Sequence, residues 1–384
     1  MQPFRIAVTD AELDELRHRL EATRWPPREV DPGWTAGVPV AWLQEMVEFW
    51  LSGYDWRARE AFFNAHPQVL VEVDGIRLHA VVLRAEGADT AASDAAPAIV
   101  LTHGWPGTFA EYLRVARRLA DPARHGADPA DAMTVVVPSL PGYGFSEIPA
   151  ESGWGIERIA DAWSELMTAL GVDRFFAAGS DWGTSVSTEL GRRHPSRVRG
   201  LALIPPLVAP DPATLDDLTP AESAAIAKMR ERGTDGGAYS AMHATRPQTV
   251  AYGLTDSPAG LLAWLGEKYR QWSGSPGVTA TDILDAASIY WFTRTAGGSA
   301  RLYRESIGAV SAVLDDPHPS PVTVPTGGIM FPDEAPWVSE RWARRRFPDL
   351  RVWIEPDAGG HFGALEQPDA VAAGILATVR ACAD

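Results

Sequence analysis

Gly179-Ser180-Asp181-Trp182-Gly183 sets a carboxylate between small residues, after the apolar run Phe175 to Gly179 and at the start of an amphipathic stretch. A small-x-nucleophile-x-small pattern at a strand-to-helix junction marks a turn so tight that bulky flanks do not fit. With aspartate in the nucleophile slot, the usual serine-esterase reading is excluded. A carboxylate nucleophile suits attack on an sp3 carbon, as in an epoxide or an alkyl halide. The plainer reading is an aspartate capping the helix that follows.

Two more glycine loops have chemical potential. His103-Gly104-Trp105-Pro106-Gly107 follows the apolar run Ala98 to Thr102. Its glycines let backbone N–H groups approach a developing oxyanion, with the N–H groups of Trp105 and Trp182 as the candidate donors. His103 reads as a packed structural residue and not as a base. Gly359-Gly360-His361-Phe362 follows the last apolar run and precedes the last helix. A lone loop histidine means little. His361 gains meaning from chain order, because nucleophile, acid and histidine succeed one another in this type of fold. The acid belongs after the run Val322 to Met330, where Phe331-Pro332-Asp333-Glu334 offers both Asp333 and Glu334. Either could equally be a solvated loop carboxylate.

The elements that position these residues are legible as well. Thr9-Asp10-Ala11-Glu12 is a capping-box pattern, with Leu13, Leu16 and Leu20 on one helical face after it. Trp25, Trp34, Trp42, Trp50 and Trp56 crowd the same N-terminal piece and predict that it packs on the main body. Asp74-Gly75 predicts a hairpin between Val69–Val73 and Ile76–Leu83. Strands at Ala98–Thr102, Thr134–Pro138, Phe175–Gly179 and Gly200–Ile204 alternate with helices at Phe109–Leu119, Ile156–Leu170 and Thr184–His194. That rhythm predicts a mostly parallel sheet covered on both faces. It stops at Pro205 and resumes at Val322, with a strand at Arg351–Glu355 and a helix from Ala370. The expected organisation is a Trp-rich meander over residues 1–68, a first core part over 69–205, a helical lid over 206–319 and a second core part over 320–384. Gly87 to Ala96 reads as a surface loop.

The 384 residues are 46% hydrophobic, ample for a large core, and the net charge is −16. Such acidity argues against nucleic acid and anionic membrane surfaces as partners. One cysteine, Cys382, permits no internal disulfide. No run reaches the roughly 18 apolar residues of a membrane span, and no signal peptide is evident, so a cytoplasmic location is expected. No clustered metal-ligand spacing appears, and neither metal nor organic cofactor is expected. Oligomeric state is not legible, and a homodimer is only a guess.

Taken together, these segments resemble the microsomal-type epoxide hydrolases over nearly the whole chain. Arg24-Trp25-Pro26 and its surroundings resemble the family's N-terminal domain. His103-Gly104-Trp105-Pro106 is similar to its oxyanion motif, which often contains a cis-proline. Gly179-Ser180-Asp181-Trp182-Gly183 is similar to its nucleophile motif, with Ser180 where a second glycine is frequent. The resemblance implies an α/β-hydrolase fold with a helical lid, an Asp181 ester intermediate and His361 as base. It puts the acid at Glu334. It implies ring-opening tyrosines at Tyr239, in Gly236-Gly237-Ala238-Tyr239, and at Tyr303, in Arg301-Leu302-Tyr303-Arg304-Glu305. Thr245-Arg246-Pro247 and Glu267-Lys268 also match pieces of its lid. The partners implied are an apolar, aryl-type epoxide and water, as for a cis-stilbene-oxide hydrolase. The family's N-terminal membrane anchor is missing, which implies a soluble member. Catabolic, detoxifying and biosynthetic roles all stay open. The rivals are a haloalkane dehalogenase and a non-catalytic binding protein of the same fold.

Overall fold

The computed structural model describes all residues except 32, 86–95, 232–235, 276 and 383–384, with Glu231 described by its backbone only. The expected surface loop from Gly87 falls almost wholly outside the described residues. Nine strands form one sheet among the described residues: β1 (Gln2–Phe4), β2 (Gln68–Val73), β3 (Ile76–Leu83), β4 (Ala98–Thr102), β5 (Thr134–Pro138), β6 (Phe175–Ser180), β7 (Val198–Ile204), β8 (Thr326–Ile329) and β9 (Leu350–Ile354). Their spatial order is β1-β2-β3-β5-β4-β6-β7-β8-β9. The first three strands and β5 pair antiparallel, and the rest of the sheet is parallel.

The parallel strands are buried on both faces except at the edge strand β9, and their residues alternate between two cores. Ile99 and Leu101 of β4 join one core, with Leu113 and Ile375 from the helices Leu113–Ala120 and Pro368–Ala381. Val100 points the other way, to Ile159 and Val186 from the helices Ile156–Ala169 and Trp182–Arg193. This period of two is what an all-apolar strand becomes when helices cover both its faces. The chain steps from β4 outward to β5 and then back across to β6. The crevice beyond the carboxyl ends of β4 and β6 is therefore a topological switch point, where open sheets of this kind hold ligands.

Three sequence expectations need amendment. The strand β1 was not anticipated: it is three residues long, contains Pro3 and pairs with β2 at the sheet's edge, where a missing N–H costs little. The strand β8 covers only Thr326–Ile329 of the run expected from Val322, because Pro325 cannot donate into a ladder and the strand starts after it. The N-terminal aromatics pack chiefly on the lid helices. Trp50 donates from Nε1 to Ser288 Oγ at 3.1 Å, Tyr54 donates to Asp285 at 2.8 Å, and Trp56 meets Phe292 at 4.8 Å between ring centroids. Trp42 lies against Gly266. Burying a side chain of this size stabilises by roughly 2–3 kcal/mol, so the meander fastens the lid from outside.

Among the described residues, six α-helices lie between β7 and β8: Pro220–Glu231, Ala238–Thr245, Pro247–Asp256, Pro258–Trp272, Ala280–Thr293 and Ala296–Asp315. They are the lid. Among the described residues, no helix is long and apolar enough to cross a membrane.

Candidate active site

Asp181 sits at the carboxyl end of β6 with φ 53° and ψ −123°, a conformation that L residues rarely adopt. Holding a non-glycine residue there costs on the order of 1–3 kcal/mol and requires support on both sides. The helix Trp182–Arg193 starts immediately after it, and Thr184 Oγ1 donates to Gly179 O at 2.9 Å, closing the turn. Glycine at 183 is forced by a close approach: a Cβ there would lie 1.9 Å from the Thr102 carbonyl oxygen. Ser180 is buried and accepts from the Tyr112 hydroxyl at 3.0 Å.

The oxyanion loop comes from the end of β4. A Cβ on Gly104 would lie 2.2 Å from Asp181 Oδ1, so only glycine leaves room for the carboxylate. The Trp105 N–H donates to Oδ1 at 2.8 Å, and the Trp182 N–H bonds the same carboxylate. The Trp105–Pro106 bond is cis. His103 is fully buried. The Leu140 N–H donates to its Nε2 at 3.2 Å, so Nδ1 holds the proton and donates to Gly104 O at 2.9 Å. Burial pushes its imidazolium down to about 4. It shapes the loop, in keeping with the structural reading of the sequence.

The structure brings His361 to the same carboxylate, with Nε2 3.6 Å from Asp181 Oδ2. Its Nδ1 faces Glu334 Oε1 at 3.0 Å, and Glu334 is only 2% exposed. Asp333, the other candidate, is exposed; its Oδ2 lies beside Gly274, and its N–H donates to Gly359 O at 3.1 Å. Burial raises the Asp181 carboxyl above the ordinary carboxylate range, while His361 and the two backbone N–H groups oppose that rise.

Tyr239 and Tyr303 both reach this site from the lid. Their rings lie 5.7 Å apart at 79°, and their side chains hydrogen-bond each other. Tyr239 stacks on Trp105 at 4.9 Å and 11°, and Tyr303 meets Trp182 at 4.8 Å and 87°. Burial holds the Tyr303 hydroxyl well above its usual range, so it remains a proton donor. Between lid and sheet is a cavity of about 270 Å³, bordered by Asp181, Trp182, Tyr239, Trp272, Tyr303, Glu334 and His361. Ile307, Val310 and Leu314 make its apolar flank. Larger clefts occur on the surface, but they lie away from these groups.

Comparison with known proteins decides the family. The family description "Epoxide hydrolase N terminus" matches residues 1–112, and that of the alpha/beta hydrolase fold matches residues 97–232. A Stigmatella aurantiaca protein, named only provisionally as an epoxide hydrolase, is 42% identical over 95% of this chain and 82% of its own. This chain belongs to the epoxide hydrolases. The Aspergillus niger epoxide hydrolase structure superposes with a TM-score of 0.88 at 32% identity, covering 99% of this chain and 96% of that one. Epoxide hydrolase 1 of Sus scrofa is 29% identical over 98% of this chain and 87% of its own.

Two residues of this epoxide hydrolase's site escaped the sequence reading. Glu366, nearly buried, accepts from the N–H groups of Gly360 at 3.0 Å, Phe362 at 3.0 Å and Gly274 at 2.7 Å. It clamps the His361 loop to the end of the lid helix Pro258–Trp272, and the His361 N–H donates to Trp272 O at 3.0 Å. Glu111 backs the oxyanion loop: a Cβ on Gly107 would lie 1.9 Å from its Oε1, and Tyr269 donates to that oxygen at 3.5 Å. Burial pushes the Glu111 carboxyl up to about 8. It is therefore protonated at neutral pH and adds no second negative charge near Asp181.

That shift has a sign in stability. The folded-state value lies above the ordinary 4.5, so folding takes up a proton. The contribution is complete below about 4.5 and is lost as pH rises to about 8, at most about 1.4 kcal/mol per pH unit. Glu111→Gln is expected to flatten the fall of Tm between pH 5 and 8 by a few degrees. Parallel slopes for the two proteins in thermal scans would mean that Glu111 titrates as an ordinary carboxylate.

Proposed function

We propose that this epoxide hydrolase converts a compact apolar epoxide bearing one or two aryl rings to its vicinal diol, in the manner of the microsomal type. An ester on Asp181 is the intermediate. The observation that carries the covalent reading is the division of labour between the two carboxylate oxygens. Asp181 Oδ1 accepts from the Trp105 N–H at 2.8 Å, while Oδ2 faces His361 Nε2 at 3.6 Å, and the residue borders the cavity.

In the first step Oδ2 bonds to an epoxide carbon. The C–O pair moves to the ring oxygen, and Tyr239 and Tyr303 donate to it. In the second step His361, oriented by Glu334, takes a proton from water, and the hydroxide attacks the ester carbonyl. The carbonyl oxygen is then Oδ1, already held by the Trp105 N–H, with the Trp182 N–H bonded to the same carboxylate. A preset hole for the tetrahedral oxyanion is commonly worth about 3–4 kcal/mol. Collapse of that intermediate expels the diol oxygen, which takes the intermediate's hydroxyl proton, and leaves Asp181 as a carboxylate.

The substrate class is supported by the cavity. Its volume of about 270 Å³ lies near the low end of the roughly 300–1,000 Å³ usual for ligand pockets, and its walls are aromatic and aliphatic. Family membership sets aside the haloalkane dehalogenase alternative. The test is one turnover of excess enzyme with styrene oxide in heavy-oxygen water. The label is expected in the Asp181 carboxylate and not in the first diol released. Label found directly in that diol would mean that water opens the ring, and the Asp181 assignment would fall.

A further inference from the structure

Lys268 is only 5% exposed, unusual for the residue type that most prefers water. It lies on the helix Pro258–Trp272 and points under the lid. Its Nζ is 4.8 Å from the centroid of the Tyr239 ring, over that ring, and 5.9 Å from the centroid of Trp272. Glu267 Oε1 is 3.2 Å from Nζ, and Gln271 Oε1 accepts from it at 3.4 Å. An ammonium over an aromatic face is attracted to the π cloud, and more strongly where water is excluded. The ring beneath it is the one stacked on Trp105, whose N–H holds Asp181 Oδ1.

We propose that Lys268 is a positioning residue for ring opening: its ammonium, held over the Tyr239 ring, strengthens that phenol as proton donor to the epoxide oxygen. The proposal rests on the reading of Asp181 and Tyr239 given above. As Asp181 Oδ2 bonds to carbon, the C–O pair moves to the epoxide oxygen and draws the Tyr239 proton. The negative charge left on the phenol spreads into its ring, directly below the cation. The proton that His361 takes from water in the second step restores the phenol. Lys268 touches no reacting atom and acts only through Tyr239.

The surroundings make this charge count. His243, on the helix of Tyr239, is held down to about 4 by burial and then by the charge of Lys268. Trp264 Nε1 donates to His243 Nε2 at 3.0 Å, so that imidazole is a neutral neighbour. Tyr303 faces Tyr239 from the helix Ala296–Asp315, while Arg304 on that helix is exposed and reaches the Ala244 carbonyl at 3.5 Å. The helix Pro247–Asp256 turns Asp256 outward to Arg19. Asp181 and His361 face the phenol from the sheet side. Among the described residues, Lys268 is the cation held over this ring, with Glu267 as its counter-charge.

The experiment measures ester formation on Asp181 in single turnovers of styrene oxide, by rapid quench and intact mass, across pH. Lys268→Met is expected to slow alkylation about 10-fold at neutral pH, the worth of a desolvated cation–π contact. Ester hydrolysis should be unchanged. The loss of alkylation at high pH, where the phenol ionises, should move upward in Lys268→Met, stay in place in Lys268→Arg and move downward in Glu267→Gln. A purely packing role for Lys268 would move none of these limbs. In a Tyr239→Phe background, Lys268→Met should have no further effect. An equal loss in that background, or unmoved limbs, overturns the proposal while leaving Tyr239 as donor. Full-rate alkylation by Tyr239→Phe alone overturns the donor reading itself and Lys268 with it. If Lys268→Met does not fold, Glu267→Gln decides by the direction of its shift.

Discussion

His361→Ala is expected to become esterified by the substrate and then stop. Alkylation needs Asp181 Oδ2 and the two phenols, none of which the substitution removes. Hydrolysis needs a base for water, and His361 Nε2, 3.6 Å from Oδ2, lies beside the bond that must be attacked. General-base help is typically about 10²–10⁴-fold, so steady turnover should fall by about that factor. Intact mass should show one substrate mass added per enzyme, persisting for many wild-type turnover times. Glu334→Gln belongs to the same experiment. It keeps a hydrogen-bond partner 3.0 Å from Nδ1 but removes the charge that favours the imidazolium, so hydrolysis should slow while alkylation continues. Asp333→Asn should behave as wild type, because that side chain is exposed and does not face His361. The reverse ranking of the two variants would transfer the orienting role to Asp333, and an unmodified His361→Ala protein would remove the two-step scheme.

The double variant Tyr239→Phe, Tyr303→Phe should lose alkylation and keep hydrolysis. An epoxide oxygen leaves as an alkoxide still tethered to the substrate, and a base that strong needs a proton or strong hydrogen bonds as the bond breaks. The two side chains are hydrogen-bonded to each other, and both border the cavity opposite Asp181. Either phenol can partly cover for the other, so each single variant should lose less than the usual 10²–10⁴-fold of an acid catalyst, and the pair should lose far more. Stopped-flow fluorescence can follow ester formation, since Trp182 and Trp272 border the cavity and Trp105 stacks on Tyr239. Ester hydrolysis, measured from pre-formed intermediate, should hardly change. A double variant that folds and alkylates at the wild-type rate would separate this site from epoxide opening.

Where a feature is local, it was legible in the sequence. The Thr9 and Glu12 capping box forms as its spacing requires, and Asp74-Gly75 makes the hairpin turn. The strands β4 and β5 begin and end where their apolar runs do. Asp181 and His361 could be singled out because small residues around a nucleophile and a glycine loop at a strand's end leave a local trace. Glu366 left none: its link to Gly274 spans 92 positions, and a lone glutamate near a helix start looks like any surface acid. Glu111 is hidden in the same way on an otherwise apolar stretch. Tyr239 and Tyr303 stood out only through resemblance, since nothing local separates a lid phenol that meets a carboxylate from one that merely packs. The choice of Glu334 over Asp333 had no local basis either, because adjacent carboxylates differ only in which one the chain turns inward. The aromatic meander was seen to need a partner, but which partner depends on where the lid helices settle.

The Glu366 clamp has a consequence for how substrate scope is divided from chemistry. It ties the lid at Gly274 to the backbone on both sides of His361, so raising that end of the roof would move His361 with it. Pro205, Leu207, Ile307, Val310 and Leu314 also border the cavity, and none belongs to the proposed reacting set. This amounts to modularity. Side chains on that apolar flank can change in bulk, resetting which molecules fit, while the bonds that align Asp181, His361 and Glu334 stay as they are.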